Sequence, residues 1–250
     1  LVLRKFILFF ILITLTLSLK AQDSYNYAVY GVGASVSQVY PFDDLKIANK
    51  TYAVSVSGYY NWTPYVNFAA ELQVGSVSGG SIVLDESKRQ YDNHYKALVF
   101  HGDIALGELI DYSGSTALGV LKNFYAGTGF GFIYNDMAFI QRYNLDPTGY
   151  PVGAYRFPGA NSSVNLMVPF RFGYEFKLYN DFDEPYIGIN IGYTHNVTFG
   201  ENLDGYTDPP SHFKNNSPDQ YRQIVIGIKY NFGPITSYTK KINSTRSYSW

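Results

Sequence analysis

From about residue 26 onward the chain alternates apolar with small or polar residues at a period of two, in eight separate runs. Such alternation puts successive side chains on opposite faces of an extended strand, so a chain written this way folds as β-sheet with two unlike faces. The runs lie at about 26–39, 52–62, 65–77, 94–106, 123–134, 163–179, 185–199 and 220–232. The sixth is the fullest. Val164, Leu166, Val168, Phe170, Phe172, Tyr174, Phe176 and Leu178 alternate there with Ser163, Asn165, Arg171, Glu175 and Lys177. In the first run Ala28, Tyr30, Val32, Ala34 and Val36 oppose Gly31, Gly33, Ser35 and Ser37. In the eighth, Ile224, Ile226, Ile228, Tyr230 and Phe232 oppose Gln223, Gly227, Lys229 and Asn231.

The connections between runs alternate in length. Those at 40–51, 78–93, 135–162 and 200–219 are long and polar, whereas those at 61–64 and 180–184 are tight. Two unequal ends are what an antiparallel up-and-down sheet closed into a barrel requires. The link 107–122 is longer than its side of the barrel should have, and it leaves room for a helical turn.

The polar faces decide between a soluble and a membrane barrel. A solvated face carries roughly 25–35% charged residues, yet the non-apolar faces of the first, second and fifth runs are Gly, Ser, Ala and Asn. Over the whole chain charged residues make up 16% and aromatics 18%, with 25 Tyr and 18 Phe. Small residues suit the crowded inside of a narrow barrel, and long apolar faces suit lipid outside. Tyr60, Trp62, Phe124, Phe176, Tyr186 and Phe232 gather toward the tight-turn end, the place of an aromatic girdle at a lipid interface. The expected fold is therefore all-β: a transmembrane up-and-down antiparallel β-barrel of about eight strands, closed because backbone groups cannot stay unpaired in hydrocarbon.

Ahead of the barrel, Arg4-Lys5, the apolar stretch Phe6 to Leu19 and Lys20-Ala21-Gln22 form the pattern of an export signal cut near Ala21. The expected division is signal peptide 1–21, barrel 22–233 and a short periplasmic tail 234–250. Without the first 21 residues, 16 basic face 20 acidic residues, a balance that argues against nucleic acid as a partner. The chain has no cysteine, which excludes disulfides and thiolate chemistry.

The inward polar groups are Glu71, His101, Asp103, Arg171, Glu175, Lys177 and Lys229. Charges in a narrow interior must pair, because an unpaired one costs several kcal/mol. Position along the strands puts Glu71 and Arg171 near mid-height, with Arg171 gripping Glu71 at two points. Asp103, Glu175, Lys177 and Lys229 lie nearer the tight turns. This is expected to be a salt-bridged plug. Gly127, Gly129 and Gly131 sit within a strand with no helix after them, so they are inward glycines rather than a dinucleotide loop. Asp204, Asp208 and Asp219 lack EF-hand spacing, and His94, His195 and His212 lack metal-ligand spacing. No catalytic residue, cofactor or metal site is expected.

Ala21-Gln22 after the apolar stretch, the last run Gln223–Phe232 with its terminal aromatic, and Asn202-Leu-Asp-Gly205 in the last long connection carry a resemblance. They resemble the small outer-membrane β-barrel proteins of Bacteroidetes, related in architecture to the OmpA and OmpX transmembrane domains. The resemblance implies an outer-membrane location, lipid as a partner, and a non-enzymatic structural or interaction role. Two departures stand beside it. Residues continue from Gly233 to Trp250 beyond the assembly-signal-like Phe232, and they are too few for the peptidoglycan-binding domain of OmpA. Alternatives are a barrel subunit of a secretion machine similar to type IX, docking to a periplasmic or outer-membrane complex, a small pore, or a lipid-modifying enzyme. For the last, His101 and Asp103 resemble the sites of PagP-like and PagL-like barrels, but His101 points inward and no serine motif accompanies it.

Overall fold

A computed structural model of the chain describes residues 24–43, 45, 47–85, 88–112, 115–145, 151–200, 202–207 and 219–240. The expected signal segment, the last ten residues of the expected tail, Asp208 and His212 lie outside the described residues. Eight long strands follow one another: β1 (Ser24–Phe42), β2 (Thr51–Asn61), β3 (Val66–Gly80), β4 (Gln90–Ala105), β5 (Phe124–Ile140), β6 (Ser162–Tyr179), β7 (Pro185–Phe199) and β8 (Gln220–Thr239). Each pairs antiparallel with the next, and β8 pairs with β1, so the sheet closes into an up-and-down barrel with no free edge.

The register fixes the tilt. A row of directly paired residues that starts at Tyr30 on β1 passes through Tyr60, Phe68, Gly102, Thr128, Phe170, His195 and Arg222. It then returns to β1 at Tyr40, ten residues further along. Such a stagger in an eight-stranded barrel goes with strands inclined by about 35–45° and an interior just wide enough for side chains to fill. The row therefore climbs from the tight-turn end at Tyr60 to the long-connection end at Arg222, with Thr128 midway and Phe170 next above it.

Alternation sorts the faces as the eight runs predict. On β6, Phe170 is 45% exposed and its neighbour Arg171 is 8% exposed. Tyr30, Val32, Val36, Val54, Val56, Leu72, Phe130, Phe132, Ile191, Ile226 and Ile228 are likewise exposed, forming an apolar belt around the barrel. Tyr60, Trp62, Phe124, Tyr186 and Phe232 stand exposed at the tight-turn end, and Tyr60 packs edge-on against Trp62 at 6.5 Å between centroids. Ala28 is buried although Tyr30, two residues on, is exposed. The register slips between them, with two steps on β1 opposite three on β8, so the extra residue lies on β8 at Gly233 and Pro234. Gly233 holds φ +93, a conformation that L side chains rarely adopt, and Pro234 gives up a ladder donor, as befits a bulge. Past it β8 runs on to Thr239, paired with Ser24–Ala28.

The connections keep two unequal ends. Residues 62–65 and 180–184 are tight, and the link after β4 holds two helical turns, α1 (Leu106–Leu109) and α2 (Thr116–Leu121), the second capped by the Ser115 side chain. Tyr238 donates to Glu108 at 3.2 Å and Lys240 to the Gly107 carbonyl at 2.7 Å, fixing α1 to the end of β8. At the other end Ala48–Asn49 adds a short rung to β3, and Tyr143–Leu145 pairs with Pro151–Arg156 as an outlying hairpin.

Candidate functional site

The lumen is filled in layers, and each layer follows from which residues the tilted strands bring to one height. At the long-connection end Val39, Val77, Tyr91, Tyr95, Val99, Ile133, Met167 and Tyr221 pack as one buried core, interleaved with buried Asn93, Asn135, Asn165 and Asn196. Over this core lies the segment 202–207. Asn93 Nδ2 donates to the Leu203 carbonyl at 2.8 Å, Leu203 N donates to Asp219 Oδ2 at 3.0 Å, and Arg142 donates to the Gly205 carbonyl at 2.7 Å. The Tyr206 ring lies near two guanidinium carbons, those of Arg89 at 5.5 Å and Arg142 at 5.8 Å. Its hydroxyl accepts from Gln90 N and lies 2.8 Å from the Gln141 carbonyl, and burial pushes that phenol well above its usual value. The stretch Asn202-Leu-Asp-Gly205 thus closes the mouth.

Below the apolar layer a polar relay begins. Gln223 Nε2 donates to Tyr95 at 3.0 Å and reaches Gln73 Oε1 at 3.4 Å, while Gln73 Nε2 donates to Glu71 Oε1 at 2.9 Å. Glu71 belongs to a four-membered charged cluster at the centre. Arg171 donates through Nη1 to Glu71 at 3.3 Å and through Nε to Asp103 at 3.2 Å. His101 stands between the same two carboxylates, Nε2 at 3.4 Å from Glu71 and Nδ1 at 3.2 Å from Asp103. All four side chains are buried.

Strand order explains the grouping. Asp103, Gly127 and Arg171 are direct neighbours across β4, β5 and β6. Because Gly127 has no side chain, Arg171 reaches over it; a Cβ there would stand 2.0 Å from Asp103 Oδ1. This differs from a two-point grip of Arg171 on Glu71 alone. Asp103 is paired with Asn67, four residues nearer the tight turns than Glu71. The row from Asp103 through Gly127 climbs to Arg171, so the guanidinium stands between the two levels and divides its donors between both carboxylates.

Beneath the cluster is a small cavity of about 50 Å³. It is lined by Tyr59, Asn61, Tyr125, Glu175, Lys177 and Lys229 among others. Lys229 donates to Asn61 Oδ1 at 2.8 Å and lies 4.6 Å from the centroid of Tyr59. Lys177 donates to the Pro64 carbonyl at 2.5 Å, with Glu175 3.9 Å away. Tyr65, Tyr112 and Tyr238 close the tight-turn end.

No family model matches the chain, and no curated protein matches it. Among solved structures it is similar to Neisserial surface protein A, at 12% identity over 84% of this chain and 100% of that one, TM-score 0.44. It is similar also to Ail, the attachment invasion locus protein of Yersinia pestis, at 10% identity over 82% and 99% of the two chains, TM-score 0.43. A major outer membrane protein from Thermus thermophilus aligns at 13% identity over 80% and 99%, TM-score 0.37. Likeness at such identity is one of architecture and says nothing of ligand or partner.

The seven inward charged residues thus fall into two groups. Glu71, His101, Asp103 and Arg171 meet at the centre, while Glu175, Lys177 and Lys229 line the cavity below. Sequence reasoning left out Tyr95 and Tyr59, and it took Asn61, Gln73 and Gln223 only as inward polar positions. The phase of the alternation marks all five, since each shares a face with a buried charge on its own strand or the next. Among the described residues no group of three His, Cys, Asp or Glu side chains is placed to hold a metal ion.

Proposed function

We propose that the chain is an outer-membrane β-barrel with a closed lumen, non-enzymatic, whose long connections face outward in a structural or interaction role. The observation that carries this reading is the filling of the lumen. An aromatic cap, a small cavity lined by Lys177 and Lys229, the charged cluster, an apolar core and the 202–207 segment succeed one another along the lumen. Arg171 on β6 reaches carboxylates on β3 and β4, and pulling such a cluster apart would strand charges in a low-dielectric interior. The apolar belt supports the membrane setting, since an exposed face of this kind is stable against hydrocarbon and costly against water. A lipid-modifying role gains no support from His101. Both of its ring nitrogens are directed at lumen carboxylates and away from lipid.

In planar bilayers the unmodified chain is expected to give at most rare, small openings. Stable nanosiemens-scale channels would overturn the closed-lumen reading and make the chain a diffusion pore. Orientation is tested separately with single cysteines at Val83 and Phe182, both highly exposed at opposite ends. In intact cells a membrane-impermeant maleimide should label Val83→Cys and spare Phe182→Cys; the reverse pattern would invert the outward assignment.

A further inference from the structure

We propose that the long-connection rim of β1, β7 and β8 binds the anionic, phosphate-bearing headgroup of a lipid, held by Arg222 and Lys50 around the ring of Tyr40. The inference rests on the membrane reading above. Arg222 is the outward residue immediately above the exposed stripe Ile224, Ile226, Ile228, Tyr230 and Phe232 on β8. Its direct partners are Tyr40 on β1 and His195 on β7, which crown the apolar stripes of their own strands. This is the height at which an outward surface made for acyl chains gives way to polar groups, and hence the height of lipid phosphates.

The side chains converge there. The Arg222 guanidinium carbon lies 5.0 Å from the Tyr40 centroid and 4.9 Å from that of Phe42, and Lys50 Nζ lies 5.9 Å from the same Tyr40 ring. His195 packs edge-on to Phe42 at 5.6 Å and is tied by Nε2 to Gln220 Oε1 at 2.6 Å. Among the described residues neither Arg222 nor Lys50 has a carboxylate within 4.0 Å or donates to a protein acceptor, and Arg222 Nε is buried without a partner. Other arginines are employed within the protein: Arg171 in ion pairs, Arg142 on carbonyls. On the opposite rim the outward cation Lys96 and His94 share their level with Asp92 and Asp136.

Two cations around one ring, with Arg222 partly withdrawn from water, repel one another until an anion comes between them. A phosphate suits them because the guanidinium fork meets two of its oxygens and the ammonium a third. A phosphate carried by a lipid gains further, since its acyl chains then lie along the Ile224–Phe232 stripe. The site thus selects an anionic phospholipid over the same phosphate free in solution.

Native mass spectrometry of the full chain, released from vesicles of phosphatidylcholine with phosphatidylglycerol, reads the site directly. The wild type should retain phosphatidylglycerol, the double variant Arg222→Gln/Lys50→Gln should bind it on the order of tenfold more weakly, and Lys96→Gln should match the wild type. Inorganic phosphate should not displace the lipid. Equal retention by a double variant that inserts normally, judged by heat-modifiable gel mobility, overturns the site and leaves the membrane reading standing. Equal loss in Lys96→Gln points to general surface charge and overturns it as well, as does displacement by phosphate alone. Failure of the wild type to insert overturns both readings.

Discussion

Arg171→Leu is expected to be the most damaging single change in the lumen, lowering unfolding stability in lipid vesicles by about 3–5 kcal/mol. The guanidinium donates to both Glu71 and Asp103, so its loss leaves two buried carboxylates with His101 as the one remaining side chain between them. Glu71→Gln should cost less. Arg171 keeps Asp103, and the cluster can regain neutrality if His101 carries no proton. Removing charge from both sides with Arg171→Leu/Glu71→Leu should recover part of the loss, because neighbours that share a network are not additive. Urea titrations followed by tryptophan fluorescence measure all three. A cost for Arg171→Leu no greater than for Glu71→Gln would mean that the cluster does not hold the lumen together.

One residue away on the same strand, Phe170→Arg should fail for a different reason. Phe170 is the fourth of the eight outward apolar residues from Val164 to Leu178 on β6, near the middle of the apolar belt. Arginine at the bilayer midplane costs roughly 2–4 kcal/mol, falling to about 0–1 near the interfaces. Tyr134→Arg, whose direct partner is the outward Lys96, supplies the interfacial comparison. Folding yields in vesicles should therefore drop sharply for Phe170→Arg and little for Tyr134→Arg. Equal yields would show that the belt does not meet hydrocarbon where the register puts it.

The contrast between these two positions also shows what the sequence discloses. Eight strands and their faces are legible because lipid outside and small residues inside impose one rule along each run. The strand ends are not, and β4 shows why. Its outward side reads Asp92, His94 and Lys96 before Leu98 and Phe100, while its inward side reads Tyr91, Asn93, Tyr95, Ala97 and Val99 before His101 and Asp103. Beyond the belt the rule reverses, apolar inside and polar outside, as in any water-surrounded β-sheet. A reading that follows one phase stops at the reversal, so β1, β3, β4 and β5 extend further than the runs predict. The stagger of ten residues is likewise invisible in a single strand, since it is a property of the closed ring. Without it Arg171 is matched to Glu71 alone, although Asp103 is correctly placed nearer the tight turns and the side chains are on the correct face.

The seam between β1 and β8 bears on how the molecule is made. Ser24 is paired with Thr239, so the contact that completes the ring joins the two ends of the described chain. Closing so long a loop is entropically costly and is rewarded only when the whole ladder forms. Until then β1 and β8 are bare edges, and in hydrocarbon a bare edge leaves a row of amides and carbonyls without partners. A half-assembled ring therefore has no comfortable resting place in the bilayer. Assembly favours a concerted route in which strands insert and pair together, and β8 acts as the last stave: its arrival converts a sheet that could pair with anything into one that pairs only with itself.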